Sequence, residues 1–484
     1  MTGNEFKTSL LNDFNCFSMA NGYFLAGLKD KVGCFDLFFR HVPDGGGFAV
    51  CCGLKTAIDY IESLKFSDED IEFLRQNGSF SEEFLEYLKE FKFTGSIWAA
   101  LEGTPVFAKE PIVKVVAPII EATLIESILL MTINHQTLIA TKANRIVRAA
   151  GGKEVIEFGV RRAHGATAAL LGARAAYIGG CVASSCSAAK EKYDVPVFSS
   201  MTHAWVQMFE DEYQAFCEYA KLYPDNCTLL VDTHNTLKSG VINAIRCFDD
   251  VLTPMGYRPK AIHIDSGDIT YLSKRARKML DEAGYPDCMI IASNSLDEYI
   301  IRDLMIEGAK VDAFGVGERM ITGASDPIFG GVYKLSAIQD ENGEFVPSIN
   351  FSDNVGKITL PCNKKVYRLF DETGKAIADV LTLNDEKLED LSEIELFDPD
   401  HTWKRKTVTN FIARELLTKI YDCGTLVYQI PTTSKIRSYC EEQVETIWDE
   451  VQRFENPHNY YVDLSQKLWD VRDNMFKEFT NYKQ

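Results

Sequence analysis

The chain has 484 residues, 46% hydrophobic and 25% charged, the balance of a globular protein long enough for more than one domain. Its formal net charge of −19 excludes a broad nucleic-acid surface, which needs clustered cations to replace counterions. Thirteen cysteines without paired spacing read as reduced thiols rather than disulfides or metal ligands, and with no run near the ~20 apolar residues of a membrane span and no signal-peptide pattern the expected location is the cytoplasm.

The first ~100 residues mix both kinds of element. FKTSLLNDFNCFSMANGYFLAG reads as an amphipathic helix, CFDLFFR as a strand, and PDGGG (43–47) as a turn leading to FAVCCGL. Charged helices occupy about 55–92, and VFAKEPIVKVVAP (106–118) reads as sheet. Apolar residues at three- and four-residue spacing then predict a long helix over roughly 119–150, stopped by Gly151-Gly152.

Eight short apolar runs follow: VIEFG (155–159), AAYIGG (175–180), VPVFSS (195–200), TLLVDT (228–233), AIHIDS (261–266), MIIASN (289–294), DAFGVG (312–317) and GVYKL (331–335). Helical segments such as 273–284 and 297–308 lie between most of them. This alternation predicts parallel strands, because parallel neighbours need a crossover. If the strands close into a barrel, their C-terminal ends form one face, where such enzymes place their chemistry. Phe158, Arg161, Ser200, His203, Asp232, Asp265, Asn294 and Gly317 would converge there. After Leu335 come a hairpin-like QDENGEF, a basic stretch KITLPCNKKVYRLF, a turn DETGK, and a final ~90 residues that read as more helical and polar.

The strand endings carry the chemical content. In EFGVRRAHG, Phe158 can stack on a planar heteroaromatic ring while Arg161 or Arg162 holds an anion; a core Phe with surface arginines is the plain alternative. DTHNTLKSG and HIDSGD each place an Asp and a hydroxyl residue at a strand end. Such groups suit ribose hydroxyls or a metal-bound diphosphate, or simply cap helices. GVGERMIT can bring backbone amides to a phosphate or form an ordinary turn. It lacks the third glycine and trailing acid of a dinucleotide fingerprint, and the chain has no G-x-x-x-x-G-K-[ST] loop. His203 is either a general base, a phosphoryl acceptor, or a structural histidine beside Trp205 and Phe209.

In this order, LLNDFNCFSMANGYFLAG, FDLFFRHVPDGGGFAV, INHQTLIATKANRI, EFGVRRAHG, SSMTHAW, DTHNTLKSG, HIDSGDI, SNSLDE, GVGERMIT, GGVYKL and KITLPCNKKVYR resemble the nicotinate phosphoribosyltransferase family. The resemblance implies an α/β fold: an irregular (β/α) barrel over 151–340, joined to an α/β domain built from 1–150 and 341–484. It implies formation of nicotinate mononucleotide from nicotinate and 5-phosphoribosyl 1-pyrophosphate (PRPP), the entry to NAD salvage from nicotinate. ATP is the expected co-substrate, Mg²⁺ accompanies diphosphate or ATP, and the protein is expected to be a homodimer with sites at the interface. A nicotinamide-using enzyme, or a weakened relative that binds pyridine nucleotides, are the alternatives.

Residue by residue, His203 matches the phosphorylated histidine, Phe158 the ring that stacks on the pyridine, and Arg161 a nearby anion contact. Ser184, Ser185 and Ser200 match hydroxyls near the nicotinate carboxylate or ribose, with Asp232 nearby. Asp265, Ser266 and Gly267 match the ribose segment, Gly315, Gly317 and Glu318 the phosphate loop, and Lys357, Lys364 and Arg368 the cations serving nucleotide and diphosphate. The chain departs from the family pattern at Asn15, where a stacking Tyr is usual, and at His263, where an Arg is usual. Ser199-Ser200, His234 and Cys186 depart as well, replacing Gly-Thr, Tyr and Asn.

Overall fold

The computed structural model describes residues 8–352, 354, 357–398 and 401–482, and the chain divides into two units. One unit is Ile139–Pro327 with Thr432–Arg437; the other is Met1–Leu138, Ile328–Pro431 and Ser438–Gln484. The division therefore falls earlier than the expected boundaries near 150 and 340. Arg437 shows why a short distant segment joins the first unit: its guanidinium donates to the carbonyls of Cys181 and Gly180 at 3.2 and 3.1 Å.

The first unit is built on six strands: β1 (Glu154–Glu157), β2 (Ala183–Ser184), β3 (Thr228–Leu230), β4 (Ala261–Ile264), β5 (Met289–Ser293) and β6 (Ala313–Val316). They pair in the order β2-β1-β6-β5-β4-β3, every pair parallel, as a curled half-barrel. Among the described residues β2 and β3 are edges, so the barrel does not close. Ile156, Ala183, Ala261, Ile291 and Ala313 pack together on one face, with Phe158 and Phe198 against them. Small alanines from three strands let the face curve while the isoleucines fill it.

Three of the eight runs behave differently from expectation. AAYIGG lies at the end of the helix Ala166–Ile178, whose sequence ATAALLGARAAYI is rich in strong helix formers. VPVFSS forms only a single bridge, Ser184 to Val197, since Pro196 cannot donate to a ladder. GVYKL is a strand, but Gly331–Gln339 pairs antiparallel with Val32–Phe39 in the other unit. The two-residue β2 is too short to register as an apolar run.

The second unit contains a seven-stranded sheet whose pairings are all antiparallel, with Val32–Phe39 and Val113–Pro118 at its centre. A four-stranded sheet contains Lys364–Phe370 and Ala376–Leu383. The helix expected over 119–150 is two, Ile119–Leu124 and Glu126–Ala149. The polar tail expected to be helical also carries strands such as Glu393–Phe397, Arg405–Thr409 and Leu417–Asp422. No helix among the described residues is long and apolar enough to cross a membrane.

Lys364 and Arg368 require a correction here. Both are buried and paired with carboxylates of their own unit. The Lys364 ammonium pairs with Asp36 and donates to the carbonyls of Leu360 and Cys362, both at 3.0 Å. Arg368 holds both oxygens of Asp379, at 2.8 and 2.6 Å, and donates to the Pro105 carbonyl. Neither presents a free cation to a nucleotide; each neutralises a buried carboxylate that would otherwise be costly. Lys357 is exposed, and Asn15 lies exposed in the first turn of the helix Phe14–Leu25, capped by Asp13.

Glu110, which the sequence does not mark out, belongs to the Arg368 cluster. It is completely buried and accepts from the Phe107 amide at 2.8 Å. Burial, then the neighbouring Asp379, pushes its pKa well above the ordinary carboxylate value. An acid raised in this way costs nothing below the unfolded-state pKa and destabilises as the pH climbs towards the folded-state value. Glu110→Gln should therefore match the wild type near about pH 4 and exceed its melting temperature near about pH 8. Thermal denaturation at the two pH values checks this; an equal loss at both would contradict it.

Candidate active site

Strand register decides which side chains meet. His263 lies opposite Ile291 between β4 and β5, and Ser293 opposite Gly315 between β5 and β6. Ser293 ends its strand beside the residues that follow β4. Its hydroxyl donates to Asp265 Oδ1 and lies 2.7 Å from His263 Nε2. His263 Nδ1 is 3.2 Å from Ser200 Oγ. The imidazole is buried, and desolvation holds its pKa below the ordinary value against the opposing pull of Asp265 and Asp232.

Asp232, at the end of β3, braces the same region. Its Oδ2 accepts from the Asp265 amide at 3.0 Å and from Ser266 Oγ at 2.5 Å. Its other oxygen, Oδ1, is buried and has no hydrogen-bond partner. The helix-capping alternative fails for both aspartates, because the cap of the helix Ile269–Glu282 is Asp268 and that of the turn Thr236–Gly240 is Asn235. Gly267 follows with φ +85°, a conformation that favours glycine.

His203 opens a short helix capped by Thr202, and its Nδ1 lies 3.1 Å from Thr233 Oγ1. Phe158 leaves β1 and sits with ring centroids 5.8 Å from Phe198 and 6.1 Å from His263. Arg161 is exposed in the turn Val160–Arg162 just beyond it. After β5, Asn294 and Ser295 adopt φ values of +85° and +52°, left-handed backbone that costs non-glycine residues roughly 1–2 kcal/mol apiece. Ser295 then donates to Glu318 at 2.8 Å, and Arg162 reaches the same carboxylate at 3.7 Å.

Two expected ligand contacts have other roles. Ser184 is fully buried and its hydroxyl donates to Glu157 at 2.6 Å, so it has no proton left for a substrate carboxylate. Ser185 remains exposed. Gly315 lies beneath the Phe158 ring rather than against a phosphate: a Cβ there would come 2.4 Å from Phe158 Cε2. Gly317 packs against the Phe158 carbonyl, where a Cβ would lie 3.0 Å away.

From the sequence, Glu157 receives no role, and Thr233 and Ser293 enter only as members of the segments DTHNTLKSG and SNSLDE. The one available signal was their position as polar residues closing apolar strands. Glu157 is completely buried, and burial raises its pKa. Among the described residues no group of three or more His, Cys, Asp or Glu is arranged to hold a metal ion.

An open parallel sheet whose strand ends collect an aromatic ring, two carboxylates and two imidazoles defines an α/β enzyme. Residues 10–134 match the nicotinate phosphoribosyltransferase (NAPRTase) N-terminal domain, and 363–472 match the nicotinate phosphoribosyltransferase C-terminal domain. The nicotinate phosphoribosyltransferase of Bacillus subtilis is 45% identical over 465 residues, covering 95% of this chain and 94% of that protein. The human protein of the same name is 27% identical over 516 residues, covering 95% of each chain. The crystal structure of human nicotinic acid phosphoribosyltransferase matches with a TM-score of 0.83 at 25% identity, covering 96% of this chain and 100% of that one. The chain belongs to the nicotinate phosphoribosyltransferase family.

Gly315→Ala tests the seat of Phe158. The added methyl must displace the ring, so the variant should lose about 1–3 kcal/mol of stability, the usual cost of overpacking. Urea denaturation measures it, and an unchanged midpoint would show that the ring moves freely.

Proposed function

We infer that the strand-end face joins nicotinate to the phosphoribosyl group of PRPP. The convergence of Phe158, Asp232, Asp265, His203 and His263 from distant chain segments onto one end of the sheet carries this assignment. Phe158 offers a face for the pyridine ring, and exposed Arg161 offers a cation to its carboxylate. Ser266 and the Gly267 turn stand beside Asp265 for the ribose.

The nicotinate ring nitrogen attacks the anomeric carbon, the C–N bond forms, and diphosphate leaves with the electron pair of the broken C–O bond. Positive charge grows on the ribose as this happens. Asp232 and Asp265 place negative charge close by, and their fixed hydrogen bonds let them do so without reorganising.

ATP coupling at His203 is part of the same proposal. When His203 Nδ1–H donates to Thr233, the Nε2 lone pair is free to accept a phosphoryl group. The N–P bond forms as the β–γ bridging bond of ATP breaks, releasing ADP. A homodimer is also proposed, because the helix Phe14–Leu25 leaves Phe14, Met19 and Leu25 exposed and a second copy would bury them. Thirteen free cysteines, twelve of them buried, accord with a reducing, cytoplasmic location.

Incubation with γ-labelled ATP should label the wild type, and His203→Ala should abolish the label. Retained labelling in the variant would remove His203 from the role. With PRPP supplied, nicotinate and nicotinamide offered at equal concentration should yield almost solely the nicotinate product; a preference for the amide would reassign the base.

A further inference from the structure

We propose that His263 and Ser293 are positioning residues that make the Ser200 oxygen a hydrogen-bond acceptor only, suited to a ribose hydroxyl of PRPP and unsuited to the carboxylate of nicotinate. This assignment rests on the substrate reading above and adds to it a direction for each proton. A serine hydroxyl has one proton to give. Ser293 gives its proton to Asp265 Oδ1, so towards His263 it can only accept. The 2.7 Å contact between Ser293 Oγ and His263 Nε2 therefore needs the imidazole proton on Nε2.

His263 is 6% exposed, and the charged and titratable groups facing it are Asp265, Asp232 and His203, with Phe158 beside its ring. Burial outweighs the two carboxylates and shifts the ring towards its neutral form. A neutral ring protonated on Nε2 has a bare lone pair on Nδ1. The 3.2 Å contact with Ser200 is then a bond that Ser200 donates. Ser200 Oγ also lies 3.5 Å from the Met201 carbonyl, the longer of its two contacts, so its proton goes to His263; Ser200 is only partly buried, and what it offers outward is lone-pair density. Nicotinate's carboxylate has no proton to give such a group. The ribose 2′- and 3′-hydroxyls do.

The relay also orders the site's electrostatics. Ser293 occupies Oδ1 of Asp265, and the Asp265 amide is held by Asp232, so the carboxylate keeps one orientation. The ends of β4 and β5 and the segment after Val197 thereby share one directed chain of protons, from Ser200 through His263 and Ser293 to Asp265.

The test has two arms. Nitrogen-15 NMR of histidine-labelled wild-type enzyme should show His263 as the neutral Nε2–H tautomer; the Nδ1–H tautomer or an imidazolium overturns the proposal. Ser200→Ala should raise the KM for PRPP about tenfold, the cost of one deleted hydrogen bond with its partner left unpaired, while the KM for nicotinate and kcat stay within about threefold. Ser200→Thr, which keeps the hydroxyl, should restore the wild-type KM. A rise in the nicotinate KM instead, or no rise in either, overturns the assignment. Should Ser200→Ala fail to fold, the tautomer measured on the wild type still decides. A wild-type enzyme that forms no nicotinate mononucleotide overturns the functional reading and the ribose assignment with it, whereas a wrong tautomer overturns this proposal alone.

Discussion

The hydrogen bond from Ser293 to Asp265 holds together a site whose parts come from four separate strand ends. Parallel strands deliver their last residues to a common face, but delivery alone leaves side chains free to rotate. Here one directed bond settles the rest: it uses the only proton of Ser293, sets which nitrogen of His263 is protonated, and thereby orients Ser200. Asp232 supplies a second brace by accepting from the backbone and side chain that follow β4. Loss of either aspartate would release several groups together, because buried polar networks are coupled.

Packing beneath this network is equally specific. The Phe158 ring can occupy its place at the strand ends only because Gly315 has no side chain, and its other neighbours, Phe198 and His263, limit where the ring can turn. Glu157, the residue before it, is tied down by Ser184 and by the Gly159 amide. A buried carboxyl so close to the ring serves to hold the loop from Phe158 to Arg161, a supporting function that leaves no atom for a substrate.

The acidic balance of the chain bears on the second unit. Lys364 and Arg368 lie in a stretch rich in cations, yet each is spent on a buried aspartate, Asp36 and Asp379. Removing either cation would strand a charge in the interior, a loss commonly larger than the net worth of the pair. Charge matching inside the fold thus accounts for basic residues that a sequence comparison assigns to ligand. Arg161, exposed beside the aromatic ring, keeps the availability that those two lack.

The sequence by itself determined the alternation of strand and helix, the identity of five of the six parallel strands, and the polar residues that close them. Apolar runs ending in Asp, Ser or Gly report burial followed by exposure, and that information is local. Ordered motifs over most of the chain determined the family. Only the tertiary structure decided that the barrel stays open, that GVYKL pairs with a strand three hundred residues earlier in the chain, and that AAYIGG continues a helix. It alone separated Ser184 from Ser185, and Lys364 and Arg368 from Arg161, because availability depends on whether a neighbour already takes the proton or the charge. Such neighbours come from remote segments, and no spacing within a motif records them.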